Sequence, residues 1–167
     1  MTYTSGGGTA ANVALTGSPD FAPRVVITGD PGTGCSGDPY RQFTTAAFTG
    51  PLANSVGLES GNGYLKGCFI SALDLSISRT IRIGGARTVQ LRLDTFNAFN
   101  QAGITDRNAT MQLANTSAAA AGTITNLPYD SSGNLIPTLS LPRNAGFGVA
   151  TAYQNPRSVQ VQIRFTF

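Results

Sequence analysis

Ser158-Val-Gln-Val-Gln-Ile-Arg-Phe-Thr-Phe167 closes the chain and decides how the rest of it is read. Val159, Val161, Ile163, Phe165 and Phe167 fall on one face of an extended strand, and Gln160, Gln162, Arg164 and Thr166 on the other. A side-chain period of two marks a strand between two unlike surroundings. The polar face carries Gln and Arg instead of the Lys/Glu mixture of a solvated sheet. An apolar-out, polar-in strand of about ten residues is the repeat unit of an outer-membrane β-barrel.

Working upstream, the same alternation predicts two more strands. In Leu73-Asp-Leu-Ser-Ile-Ser-Arg-Thr-Ile-Arg-Ile83, the apolar set is Leu73, Leu75, Ile77, Ile81 and Ile83, and Asp74, Ser76, Ser78, Thr80 and Arg82 oppose it. Arg79 interrupts the apolar face. In a barrel its long stem stays in lipid while its head reaches the nearer interface. Arg87-Thr-Val-Gln-Leu-Arg-Leu-Asp94 repeats the pattern, with Val89, Leu91 and Leu93 against Gln90, Arg92 and Asp94. Parity fixes the register, because directly opposed residues point to the same face. A three-residue Gly84-Gly85-Ala86 loop with a Gly-type bulge sets Ile81 against Val89, Ile77 against Leu93 and Ser78 against Arg92. A two-residue turn would set Ile81 against Thr88. The expected strands are therefore 72–83, 87–99 and 157–167, the last five residues of the second being part of the aromatic Thr95-Phe-Asn-Ala-Phe-Asn100. Two readings of that element stand open: an interfacial aromatic girdle, or a buried Phe pair in a soluble core.

Composition agrees with a two-faced wall. Charged residues make up 11% of 167 residues, against about 25% in ordinary soluble domains. The net charge of +3 comes from scattered Arg and a single Lys66, with no basic run; nucleic acid is not an expected partner. No run reaches the length of a transmembrane helix. The N-terminus lacks the basic and apolar regions of a signal peptide, so for a barrel the N-terminal part of the protein is expected to be missing.

Residues 1–71 read as a loop-rich extracellular segment with short strands at 12–16 and 24–28. Cys35 and Cys68 both lie in Gly/Pro-rich surroundings without a CxxC or a His. A disulfide between them is expected, implying an oxidising compartment; two unpaired thiols in a reducing one is the alternative. The stretch 29–39 lacks the Gly-Lys-Ser/Thr ending of a phosphate loop, and Asp30 and Asp38 do not have EF-hand spacing. Residues 101–145 form a long connection containing a low-complexity run at 115–122, and 146–153 hold a further strand or an extension of the last. A long loop at one end of the strands and a tight turn at the other is barrel topology, with the tight turn on the periplasmic side.

Three motifs together carry a family likeness: Leu73-Asp-Leu-Ser-Ile77, Arg92-Leu-Asp-Thr-Phe-Asn-Ala-Phe-Asn100 and Pro156-Arg-Ser-Val-Gln-Val-Gln-Ile-Arg-Phe-Thr-Phe167. The chain resembles the C-terminal end of a TonB-dependent receptor of the Oar-like, carboxypeptidase-regulatory-domain-containing type. The stretches 29–36 and 39–43 add a likeness to its acidobacterial branch. The resemblance implies a large outer-membrane barrel around a plug, transport of a bulky substrate energised through TonB, and Phe165 and Phe167 as the signal read by the barrel assembly machinery. It also implies that plug, TonB box and most strands are missing here, so that the chain is a fragment or truncated reading frame.

The expected fold class is all-β: antiparallel strands forming the C-terminal part of a transmembrane outer-membrane barrel with long extracellular loops. Asp74, Arg82, Arg92, Asp94, Gln160, Gln162 and Arg164 are the expected lumen-face polar residues, with the charged ones pairing across the wall. The expected partners are outer-membrane lipid and the remaining strands and plug. With no His, the Ser/His/Asp and Cys/His arrangements and the commonest metal ligand are absent. No catalytic residue, cofactor or metal is expected. The competing reading is a secreted, disulfide-bonded β-sandwich acting as an adhesin or surface-binding module. Exposure separates the two: in a sandwich a second sheet covers Ile77, Leu91, Val159 and Ile163, and in a barrel nothing does.

Overall fold

The computed structural model describes residues 2–3, 13, 17–20, 24–50, 63–114 and 123–167. Nine strands occur among them. They are β1 (Thr2–Tyr3), β2 (Val26–Ile27), β3 (Phe48–Thr49), β4 (Leu75–Gly84), β5 (Arg87–Phe96), β6 (Ile104–Arg107), β7 (Thr110–Met111), β8 (Ala150–Tyr153) and β9 (Ser158–Thr166). The chain divides into two units, one of residues 1–68 and 104–152 and one of residues 69–103 and 153–167. Among the described residues no helix is long and apolar enough to cross a membrane.

The second unit is built on β4, β5 and β9, in that order, with both pairings antiparallel. The register is the one parity demands: Ile81 faces Val89, Ile77 faces Leu93 and Ser78 faces Arg92. The turn is built slightly differently from the expected three-residue loop. Gly84 stays in β4 opposite Arg87, Gly85-Ala86 make the turn, and the extra residue is absorbed as a bulge between Arg82 and Gly84. Gly84 and Gly85 take φ of 143° and 61°, a region costly for any side chain. The strands are also bounded differently from the expected 72–83, 87–99 and 157–167. β5 stops at Phe96 because Asn97 turns left-handed, with φ 49°. The transmembrane-barrel expectation is met only in part: three strands make an open sheet edged by β4 and β9, and three are too few to close a barrel.

The first unit draws on the stretches expected to be loops. The strand expected at 24–28 is β2, paired with β3. That expected at 12–16 lies outside the described residues apart from Val13, as does the low-complexity run at 115–122. β1 and β7 pair in parallel over two residues, a small exception to the antiparallel rule, and β6 pairs with β8. Short strands cannot bury much, so the core is aromatic. The rings of Phe43, Phe48 and Phe147 meet edge to face with centroids 5.0–5.8 Å apart, packed with Val25, Met111 and Leu113. Irregular backbone inside such a core still needs partners, and asparagines supply them. Asn126 accepts from Gln112 N–H and donates to Thr110 O. Asn108 donates to Ala145 O and accepts from Thr110 N–H.

Cys35 and Cys68 form the expected disulfide, with an S–S distance of 2.05 Å. A second clamp holds the same segment: the Arg107 guanidinium donates to the carbonyls of Gly34, Leu65 and Lys66. Partial burial lowers the Arg107 pKa, opposed by the nearby Asp106 carboxylate.

Candidate functional site: a two-faced sheet and its asparagine cap

The register of β4, β5 and β9 sorts their side chains into rows that cross all three strands. On one face lie Leu75/Thr95/Val159, Ile77/Leu93/Val161, Arg79/Leu91/Ile163 and Ile81/Val89/Phe165. On the other lie Ser76/Asp94/Gln160, Ser78/Arg92/Gln162, Thr80/Gln90/Arg164 and Arg82/Thr88/Thr166. The apolar rows are open. Ile77 is 68% exposed, Leu91 41%, Val159 57% and Ile163 56%, so among the described residues no second sheet covers them. A sandwich would bury these four. A contiguous bare apolar face is instead matched to an apolar environment outside the protein.

The polar face gathers Arg82, Arg92, Asp94, Gln160, Gln162 and Arg164 as sequence reasoning proposed. Its ion pairing runs differently. The ion pair on this face joins Arg92 to Asp94 at 2.9 Å, two places along β5, and not across strands. Ser76 stands opposite Asp94 in the ladder. Arg82 and Arg164 therefore have no carboxylate partner among the described residues. Asp74 is not part of these rows. It precedes β4 and accepts the Asn97 N–H at 2.9 Å.

That contact belongs to a cap the sequence did not reveal. Asn97 is buried, and its side chain donates to Gln101 O and Asn155 O and accepts from Gln101 N–H. Asn100, with φ 52°, accepts from Arg157 N–H at 3.0 Å. Ala98 N–H donates to Leu73 O, prolonging the β4–β5 pairing past the strand end. Asn tolerates the left-handed region and bonds its own surroundings, so Phe-Asn-x-Phe-Asn ties the entry to β4, the exit from β5 and the entry to β9. Phe96 and Phe99 are both exposed, which removes the buried-pair reading and leaves the girdle reading. The signal that could have revealed the cap was the pair of Asn residues just where alternation stops. Phe165 lies in the Ile81 row and Phe167 follows β9, both exposed. Among the described residues no group of acidic or Cys side chains is arranged to hold a metal ion.

A family model described as outer membrane beta barrel domain matches residues 2–160. No curated protein and no solved structure matches the chain significantly. The matched span takes in β4, β5 and the start of β9, where one face is bare and apolar and the other polar. The chain belongs to the outer membrane β-barrel domain family, and its place is the bacterial outer membrane.

Proposed function

We propose that this chain supplies adjacent wall strands and external loops of a TonB-dependent receptor of the Oar-like type, which takes up a bulky substrate. The observation that carries the reading is the separation of apolar and polar rows across β4, β5 and β9, interrupted on the apolar side by Arg79 and Thr95, together with their connections. Gly85-Ala86 joins β4 to β5, whereas residues 97–157 join β5 to β9. Outer-membrane barrels pair short periplasmic turns with long external loops. The polar rows then line the lumen and face the plug, the apolar rows meet lipid, and the edges of β4 and β9 take neighbouring wall strands. Phe165 and Phe167 are read by the barrel assembly machinery. The role is transport and not catalysis, in keeping with a chain of 167 residues that contains no His.

Labelling of sealed cells tests the topology. A Cys placed at Asn134 should react with a membrane-impermeant maleimide from outside, and a Cys placed at Gly85 only after the outer membrane is permeabilised. The reverse pattern sinks the orientation. Copurification of the gene's full product with TonB from solubilised outer membranes supports the receptor reading. A product that inserts with the expected labelling yet never captures TonB leaves a barrel and overturns the receptor.

A further inference from the structure

The first unit contains a cleft of about 570 Å3, inside the size range of small-molecule sites. Pro31, Phe43, Leu127 and Pro128 contribute apolar wall, and Tyr40, Arg41 and Tyr129 also line it. The segment carrying Tyr40 and Arg41 is firmly shaped. Asp38 accepts the Tyr40 N–H at 2.8 Å, the buried Gln42 side chain donates to Ser36 O and Asp38 O, and the Ser36 hydroxyl donates to Arg41 O. The disulfide lies against the same group, with Cys68 Sγ 3.6 Å from Gln42 Oε1; a disulfide sulfur has no proton to donate, so this is packing and not a hydrogen bond. The opposite side is a turn held by Asp130, which accepts the N–H groups of Ser132 and Asn134 and the Asn134 amide.

In this lining the Arg41 guanidinium carbon lies over the Tyr129 ring, 3.9 Å from the centroid. It is exposed, and it has no carboxylate partner among the described residues. Both nearby carboxylates are already occupied: Asp130 by its turn, Asp38 by the Tyr40 N–H and, at 3.5 Å, by the Tyr129 hydroxyl. A guanidinium held over a ring and paired with no carboxylate keeps N–H groups free, and their fork matches a carboxylate bidentately. An apolar wall beside one oriented, uncommitted cation is the arrangement of a ligand site with a single polar anchor.

We infer that this cleft binds a small organic carboxylate, its anionic group on the Arg41 edge and its apolar body against Pro31, Leu127 and Pro128. The assignment is independent of transport, since binding is read on the protein whether or not the barrel moves anything.

The test uses the whole chain in detergent micelles at low ionic strength, titrated calorimetrically with benzoate, its neutral counterpart benzamide, and inorganic phosphate. Benzoate is expected to bind at least about tenfold more tightly than either benzamide or phosphate. Arg41→Gln should lose about tenfold for benzoate and leave benzamide unchanged, and Tyr129→Leu should weaken benzoate by freeing the guanidinium. Arg41 is exposed, so its variant keeps the fold; an intact Cys35–Cys68 bond by mass spectrometry verifies this. Equal binding of benzoate and benzamide, or full affinity in Arg41→Gln, overturns the anionic anchor. Phosphate binding as tightly as benzoate overturns the apolar half of the site, and no binding of any probe overturns the site altogether.

Discussion

Arg79 is the one charged side chain in the apolar rows of β4, β5 and β9, and its removal is the sharpest test of which face meets lipid. The apolar set within β4 runs from Leu75 to Ile83, eight residues apart. At about 3.4 Å per residue the set is roughly 27 Å long, and a tilt of about 40° turns this into a height of roughly 21 Å. That spans most of the apolar band of about 25 Å on an outer-membrane barrel. Arg79 is four residues from Ile83, which puts it roughly 10 Å inside one border of the band at that rise and tilt. An Arg on the lipid face costs about 2–4 kcal/mol at the midplane and about 0–1 near an interface. Arg79→Leu should therefore stabilise the inserted protein by about 1–3 kcal/mol, part of the cost being relieved already by the reach of the side chain. Ile163→Arg, in the same row, should destabilise it by about 2–4 kcal/mol. Gln162→Arg, one place along and on the polar face, should do neither. The assay is urea unfolding of protein folded into phosphatidylcholine vesicles, followed by heat-modifiable gel mobility. If Ile163→Arg and Gln162→Arg cost the same, or Arg79→Leu shifts the midpoint downward, the assignment of faces is wrong.

Three further outcomes follow from the geometry. Replacing both Cys35 and Cys68 with Ser opens a link across 33 residues, for which chain-entropy reasoning gives about 3–4 kcal/mol; limited proteolysis should show residues 24–50 becoming labile while the β4–β5 hairpin stays protected. Asn97→Ala removes three side-chain hydrogen bonds and forces Ala into a left-handed backbone, costing about 2–4 kcal/mol by thermal unfolding, and Asn97→Gly should recover only the backbone part. Asp130 has its pKa lowered by the Asn134 N–H first and the Asn134 side-chain amide second. A depressed carboxylate stabilises the fold above its unfolded value and stops doing so as pH falls through the folded one. The protection factors of the Ser132 and Asn134 amides should thus be flat from neutral pH down to the ordinary carboxylate range and fall only below it. Loss of protection near pH 6 would contradict the assignment.

The sheet was legible because alternation and parity are local properties. Once Ile81 and Val89 had to share a face, the β4–β5 register was settled, and nothing in the rest of the chain could change it. The first unit was illegible for the opposite reason. Phe43, Phe48 and Phe147 make one core from distant stretches, and no period links them. Their backbone is satisfied by Asn108 and Asn126 instead of long ladders, and an asparagine in a loop looks the same in sequence whether it bonds water or a buried carbonyl. Asp74 shows the limit of parity itself: it has the right spacing for the polar face, but β4 begins at Leu75, and outside the strand spacing says nothing about direction. The cleft at Arg41 needed a partner, Tyr129, that no motif connects to it.

The interleaving of the two units has a kinetic consequence. Phe147 lies 104 residues after Phe43 in the chain (147 − 43), so the aromatic core closes across a long loop, whereas the β4–β5 hairpin closes across two residues. Closure of long loops is slow and hairpins form early. The hairpin therefore exists first, with the β5 edge unpaired, and stays so until β9, far along the chain, arrives to cover it. For that interval the row of N–H and C=O groups on β5 is an open template for any other extended chain, and the protein's aggregation risk is concentrated there.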